Sequence, residues 1–441
     1  MMSSRPVSVA ALPEGPRDSA SLQTLRLLRD AGSYLRELRE SYGGIFTLRP
    51  LHSPAFVVVC DPALIGALFT GDPATLHAGA ANRILEPASG PNAMLFLDED
   101  EHLSRRRLLG PSFQDTNLQS YLGLIETLVQ DELDSWPLDQ PIALHTRFRD
   151  LATDVMLRVI LGEDELGIWR ELKADLLEIR RDASRHRARA QLGQFVVHAR
   201  RVGGGTGGGQ TRVVRALLNE RGQSNEPVVD DAVVDELLAL LVAGQETTAG
   251  TLAWAAERLC RDASLQRRLR AAFSDERDDD YVDAFISELL RVRPVLQWSV
   301  RQLTRPLPLR SWLLPESTVV AVSIYLVHHD PDLFPDPDRF LPDRFLGEQP
   351  SRAHSFVAFG GGTRRCVGGR LALLEIRTVL AQLLRRFALE PARGHERDER
   401  WRRSGITYVP AEGALVCLSV PARPSDEVTL GGCARSGRCP G

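Results

Sequence analysis

Near its C-terminal end the chain carries Phe359-Gly360-Gly361-Gly362-Thr363-Arg364-Arg365-Cys366-Val367-Gly368, which reads F-x-x-G-x-R-x-C-x-G, and few architectures have a use for such a run. A thiolate that ligates the metal of a flat macrocycle needs a sulfur aimed at the metal, a backbone that comes very close to the ring, and donors that keep the sulfur ionised. Glycines remove the Cβ atoms that would block the approach and allow positive φ where the loop turns. Backbone N–H groups, Arg364 and Arg365 favour thiolate over thiol. Beyond Cys366 the run Gly-Gly-Arg-Leu-Ala-Leu-Leu-Glu-Ile-Arg-Thr-Val-Leu has helical periodicity, so the cysteine stands just ahead of a helix N-terminus, whose dipole also favours negative charge. The competing reading is an unreactive buried cysteine beside a flexible glycine loop. The full spacing is far more specific than a glycine triplet.

A second run, Leu237 to Gly250, lies in a long apolar stretch that opens after Pro227 with Asp230, Asp231, Asp235 and Glu236. Proline near the start and acids in the first turns predict one long helix of about 33 residues, roughly 50 Å, enough to cross a large domain. Glu246 and Thr247 in its apolar middle are costly unless they serve a purpose, although a threonine bonded to its i−4 carbonyl beside a surface acid would be a purely structural alternative. Gly244 costs about 1 kcal/mol there and makes room for a bulky neighbour or a helix distortion. Glu288-Leu289-Leu290-Arg291 places opposite charges at i,i+3 on a helix ending near Pro294. Exposed, such a pair is worth roughly 0.2–0.5 kcal/mol. His102 and Arg106 sit at i,i+4 on another helix face, in a basic run that could equally be a solvated surface.

Together with Phe340-Leu341-Pro342-Asp343-Arg344-Phe345, these runs resemble, in order, the motifs of the cytochrome P450 superfamily, and the resemblance covers about residues 12–422. It implies a mainly α fold with a small β lobe, a helix-rich triangular prism holding haem b between the long central helix and the Cys-loop helix. Cys366 would be the axial iron ligand, with Phe359, Gly360, Arg364 and Gly368 shaping the cofactor loop. His102, Arg106, Arg301 and Arg364 would hold the propionates, where arginine binds carboxylates bidentately. Thr247 and Glu246 would deliver protons to bound dioxygen. Glu288, Arg291 and Arg344 would form a buried network behind the haem, structural in effect. Leu240, Ala243, Leu296, Gln297, Val300 and Ile406 would line an apolar substrate pocket. The implied activity is monooxygenation of a C–H bond in a lipophilic molecule, terpenoid, steroid or fatty-acid-like, as in secondary metabolism. Electrons would come from a separate ferredoxin or flavodoxin and its reductase, docking on the basic proximal side. A peroxygenase, isomerase or oxidative coupler of the same fold is the alternative, and a haem carrier or sensor a further one.

Composition agrees. At 441 residues length alone allows two or three domains, but one cofactor needing residues from 102 to 368 implies one catalytic unit over 12–422, with a flexible lead at 1–11 and a disordered tail at 423–441. A net charge of −4 carries no nucleic-acid signal, and Lys173 is the single lysine, a skew that reads as coding bias. The polar start lacks an apolar run of about 18 residues, so a cytoplasmic monomer without membrane anchor is expected. Cys60, Cys260 and Cys417 read as inert core thiols. Cys433 and Cys439 could form a disulfide or a weak metal pair, and read as part of the disordered tail. The glycine run 203–209 lacks the Gly-Lys-Ser/Thr ending of a phosphate loop and reads as a linker. Strands are expected at Ile45–Leu48, Phe56–Val59 and 318–322, and at 405–408 paired with 414–418.

Overall fold

A helix runs from Asp230 to Arg261, and its sequence accounts for its length and place. Asp230 and Asp231 in the first turn and Arg258 and Arg261 in the last complement the macrodipole. Every residue from Ala232 to Leu241 is buried, so this stretch is enclosed on all sides and belongs in the core. The Leu144–Ile160 and Asp182–Val202 helices pack along it. Gly244 serves the first of them: a Cβ at that position would stand 2.3 Å from Met156 Sδ. The Gly369–Arg386 helix, which follows the cysteine loop, packs on the same central helix.

The computed structural model describes residues 11–202, 210–219, 230–275, 278–347, 354–392 and 398–421. The 203–209 linker, the tail with Cys433 and Cys439, and all but the last residue of the 1–11 lead lie outside the described residues. The architecture is mainly helical with small sheets. A helix at Ala20–Tyr42 begins where Ser19 accepts the Leu22 N–H, and it packs on a five-stranded sheet. That sheet runs in the order Ile45–Leu48, Phe56–Val59, Val319–Ser323, Trp298–Leu303, Leu76–His77, with Phe56–Val59 parallel to Val319–Ser323. One apolar cluster surrounds the central helix and a second lies under this sheet. Cys60 and Cys260 are buried in them, where desolvation pushes both thiols up to about 12.

The expected pairing near the end of the fold needs correction. Thr407–Pro410 pairs with Trp401–Ser404, not with the strand at Leu415–Ser419. Gly405 takes φ +64°, and the tight connection through Gly405 and Ile406 sets Ser404 opposite Thr407. Leu415–Ser419 pairs instead with Ala388–Pro391 and Pro141–Ala143.

Behind the cysteine loop, Arg291 is fully buried with each of its five N–H donors matched. Nε and Nη2 reach Glu288 at 2.7 and 2.8 Å, Nη1 reaches the carbonyls of His328 and Pro337, and Nη2 also reaches that of Arg339. Glu288 also accepts from Arg344 Nε at 3.1 Å and from the Leu341 N–H at 2.7 Å. The neighbouring His328 accepts the Val357 N–H through Nε2 at 3.0 Å, which ties this network to the start of the cysteine loop.

Candidate active site

The loop around Cys366 is held by its own backbone. The Cys366 N–H donates to the Phe359 carbonyl at 2.9 Å, and the Gly360 N–H to that of Val357 at 2.9 Å. Gly360 and Gly362 take φ of +68° and +63°. A Cβ on Gly362 would fall 1.8 Å from the Phe69 carbonyl oxygen, so glycine there answers both to conformation and to close approach. Cys366 is exposed to the hollows that flank it, yet desolvation by the surrounding protein raises its thiol above its ordinary value, while the Gly368 N–H, Arg106 and Arg365 act the other way. A bound metal cation is what fully ionises a thiol in such a place.

Cys366 faces a cavity of about 290 Å³. Phe359, Gly360, Arg364 and Gly368 share its wall from the cysteine side, and Leu240, Ala243, Gly244, Thr247, Thr248 and Thr251 from the central helix. Thr247 Oγ1 donates to the Ala243 carbonyl at 2.7 Å, the back-bonded geometry, on a turn that lines the cavity. On its other side Cys366 borders a depression of about 750 Å³ lined by Arg106, Arg107, Arg365 and Arg370.

His102, Arg301 and Arg364 come together at a further small recess, whereas Arg106 lines the outer depression. Arg364 donates to the Leu97 carbonyl at 2.6 Å and to Asp98 at 2.5 Å. Arg301 Nη1 reaches the Val300 carbonyl at 2.7 Å, but its buried Nη2 has no partner among the described residues. Desolvation, Arg364, Arg106 and Arg301 pull His102 down to about 3, and desolvation with neighbouring arginine charge holds Arg301 and Arg364 at about 10. Such a cationic set with an orphaned guanidinium N–H lacks an anion. A macrocycle bearing carboxylates and ligated through Cys366 fits these residues.

Some of the expected residues stand elsewhere. Glu246 is absent from the cavity wall. Its carboxylate lies 2.8 Å from Arg149 Nε, 3.7 Å from His145 Nε2 and 4.0 Å from Arg180 Nη2, and accepts from Ser404 Oγ at 2.5 Å. Desolvation brings His145 down to about 4 against the pull of Glu246. Of the six pocket residues, Leu240, Ala243 and Leu296 line the cavity, while Gln297, Val300 and Ile406 do not. Gln297 is buried with its amide near the Pro294 carbonyl, at 3.4 Å. Val300 follows the lining residues Trp298 and Ser299 along the strand and does not itself reach the wall. Ile406 is 44 % exposed at the hairpin turn.

Sequence reasoning missed Phe113 and Met156 in the wall, which carry no local motif. It also missed Glu375, on the helix after Cys366, buried in the same wall with Oε1 unpartnered. A signal for it existed: an acid inside the apolar periodicity of Leu371 to Val379.

Comparison with known proteins bears on this geometry. Residues 166–417 match the family model described as cytochrome P450. The putative cytochrome P450 135B1 of Mycobacterium bovis is 32 % identical over 98 % of this chain and 96 % of its own length. The putative cytochrome P450 135A1 of Mycobacterium tuberculosis is 31 % identical over 93 % of this chain and 96 % of its own. Among solved structures, retinoic acid-bound cyanobacterial CYP120A1 aligns with a TM-score of 0.79 at 24 % identity, covering 93 % of this chain and all of the other. The cytochrome P450DA heme domain also aligns at 0.79, with 20 % identity over 95 % of this chain and all of its own. With a cysteine loop, a cavity and a cationic recess of the kind that holds a haem, and with relatives matched along nearly the whole sequence, the chain belongs to the cytochrome P450 family.

Proposed function

We propose that this haem-thiolate monooxygenase hydroxylates a lipophilic small molecule, terpenoid, steroid or fatty-acid-like, in secondary metabolism, working as a cytoplasmic monomer with a separate ferredoxin or flavodoxin system. The observation that carries the reading is a single cavity whose wall presents the Cys366 sulfur, the Thr247 hydroxyl and otherwise mainly apolar side chains. Haem b, held through Cys366, supplies the binding and reductive activation of dioxygen when bound. Overall, RH, O2, two electrons and two protons give ROH and water.

His102, Arg301 and Arg364 receive the cofactor's carboxylates, and the orphaned Arg301 Nη2 gains an acceptor there. Leu240, Ala243 and Leu296 take apolar substrate surface and exclude water. Thr247 swings its O–H from the Ala243 carbonyl toward the cavity, since threonine has two favourable helical rotamers. Glu246, one residue earlier, connects that turn to the cluster of Arg149, Arg180, His145 and Ser404. The arginine-lined depression beside Cys366 suits an acidic electron-transfer protein. No described helix is long and apolar enough to cross a membrane.

Thr247→Ala in the reconstituted holoenzyme tests the reading. Reductant consumption should continue while product per electron pair collapses. The rival, a peroxide-driven enzyme of the same fold, draws its support from the position of Glu246 outside the wall. Unchanged turnover of the variant with peroxide alone would favour it and overturn the proposed reading.

A further inference from the structure

The carboxyl group that the cavity itself holds is not Glu246 but Glu375. It lies one and a half turns into the Gly369–Arg386 helix, is 1 % exposed, and belongs to the same wall as Thr247 and Cys366. Its Oε1 has no hydrogen-bond partner among the described residues. From the central helix, Thr248 and Thr251 share this wall, and from the Asp279–Val292 helix Leu290 does, so neither brings a charge. Glu288 and Arg291 of that second helix are spent on each other. The other titratable groups of the wall are Cys366 and Arg364, and Arg364 is paired with Asp98. Among the described residues no hydrogen-bond donor or ion-pair partner offsets the burial of the Glu375 carboxyl, whereas Glu246 sits among ion-pair partners outside the wall.

We propose that Glu375 is the neutral carboxylic acid that supplies a proton to the dioxygen-reducing cavity, the part that the sequence pattern gives to Glu246. The proposal rests on the monooxygenase reading. Each turnover consumes two protons and two electrons, the electrons arriving from the external donor. The Glu375 O–H bond breaks as an O–H bond forms on the oxygen being reduced, with Thr247 or water between them, and the carboxylate left behind takes a proton back from solvent. Recovery is driven by the cost of an ionised carboxylate with an unpaired oxygen in an apolar wall. Burial alone raises Glu375 to about 8, so the acid is loaded at neutral pH and is lost as the pH rises past that value.

Infrared difference spectra of the full-length haem-loaded protein, titrated from about pH 6 to about pH 10, test this without turnover. The carbonyl stretch of a protonated carboxylic acid should be present at neutral pH, titrate away near the value of about 8, vanish in Glu375→Gln and persist in Glu246→Gln. With reductant and substrate, Glu375→Gln should keep the thiolate-type carbon monoxide band yet lose about tenfold or more in product per electron pair, with Glu375→Asp recovering part of it. A carbonyl band untouched by Glu375→Gln, or coupling equal to wild type in that variant, would overturn the proposal. If the glutamine variant does not fold, the wild-type titration and the aspartate variant decide. Absence of the thiolate band from wild type would instead sink the monooxygenase reading, a different result from any of these.

Discussion

A single missing methyl group decides how the central helix meets its neighbour. Met156 Sδ occupies the space a Cβ on Gly244 would need, so Gly244→Ala should destabilise the fold by about 1–3 kcal/mol in urea unfolding. Met156→Ala in the same chain should recover part of that loss, a non-additivity that a double-mutant cycle measures. At this scale the sequence was partly legible. Gly244 was recognisable as room for a bulky partner, because glycine in a helix interior needs a reason, but the partner comes from a helix some 90 positions earlier. Cys366 was legible because everything that shapes its loop is local. Glu246 was legible as a residue type and not as a direction: adjacent helix positions point about 100° apart, so an acid next to a cavity-lining threonine need not line the cavity.

Among elements, the Asp279–Val292 helix does the most to place the site. Glu288→Ala would strand the buried Arg291 guanidinium and should cost about 3–5 kcal/mol, read as a lowered denaturant midpoint together with weaker haem retention. The network was visible in the sequence only through resemblance, because i,i+3 spacing describes an exposed pair equally well. His328, which joins that network to the cysteine loop, has no motif of its own. The hairpin at Trp401–Pro410 was misread because its first strand, Trp-Arg-Arg-Ser, is polar and was hidden by the absence of alternation.

For the whole molecule, stability should depend on pH through groups far from the surface. Burial holds His328 and His329 at about 3, so below the ordinary value of 6.5 the unfolded chain binds protons that the folded one refuses. Stability falls as the pH drops from 6.5 toward 3. Glu375 acts with the opposite sign: from its ordinary value of 4.5 up to about 8 the folded protein keeps a proton that the unfolded chain releases, so stability declines as the pH rises through that window. His102 and His145 act in the same direction as His328 and His329, and together they outweigh the raised Glu375 and Glu399, so the optimum should lie at about pH 6.5, and Glu375→Gln should flatten the alkaline side of a plot of denaturant midpoint against pH.

The parallel pairing of Phe56–Val59 with Val319–Ser323 has a consequence in time. A ribosome delivers the N-terminal helix and its first two strands long before their partner exists. For most of synthesis the Phe56–Val59 edge is an open template of unpaired backbone groups beside apolar side chains, and such edges invite the wrong partner. Nascent chains stalled before residue 319 should therefore be the aggregation-prone species, while release beyond residue 323 closes the edge and ends the hazard.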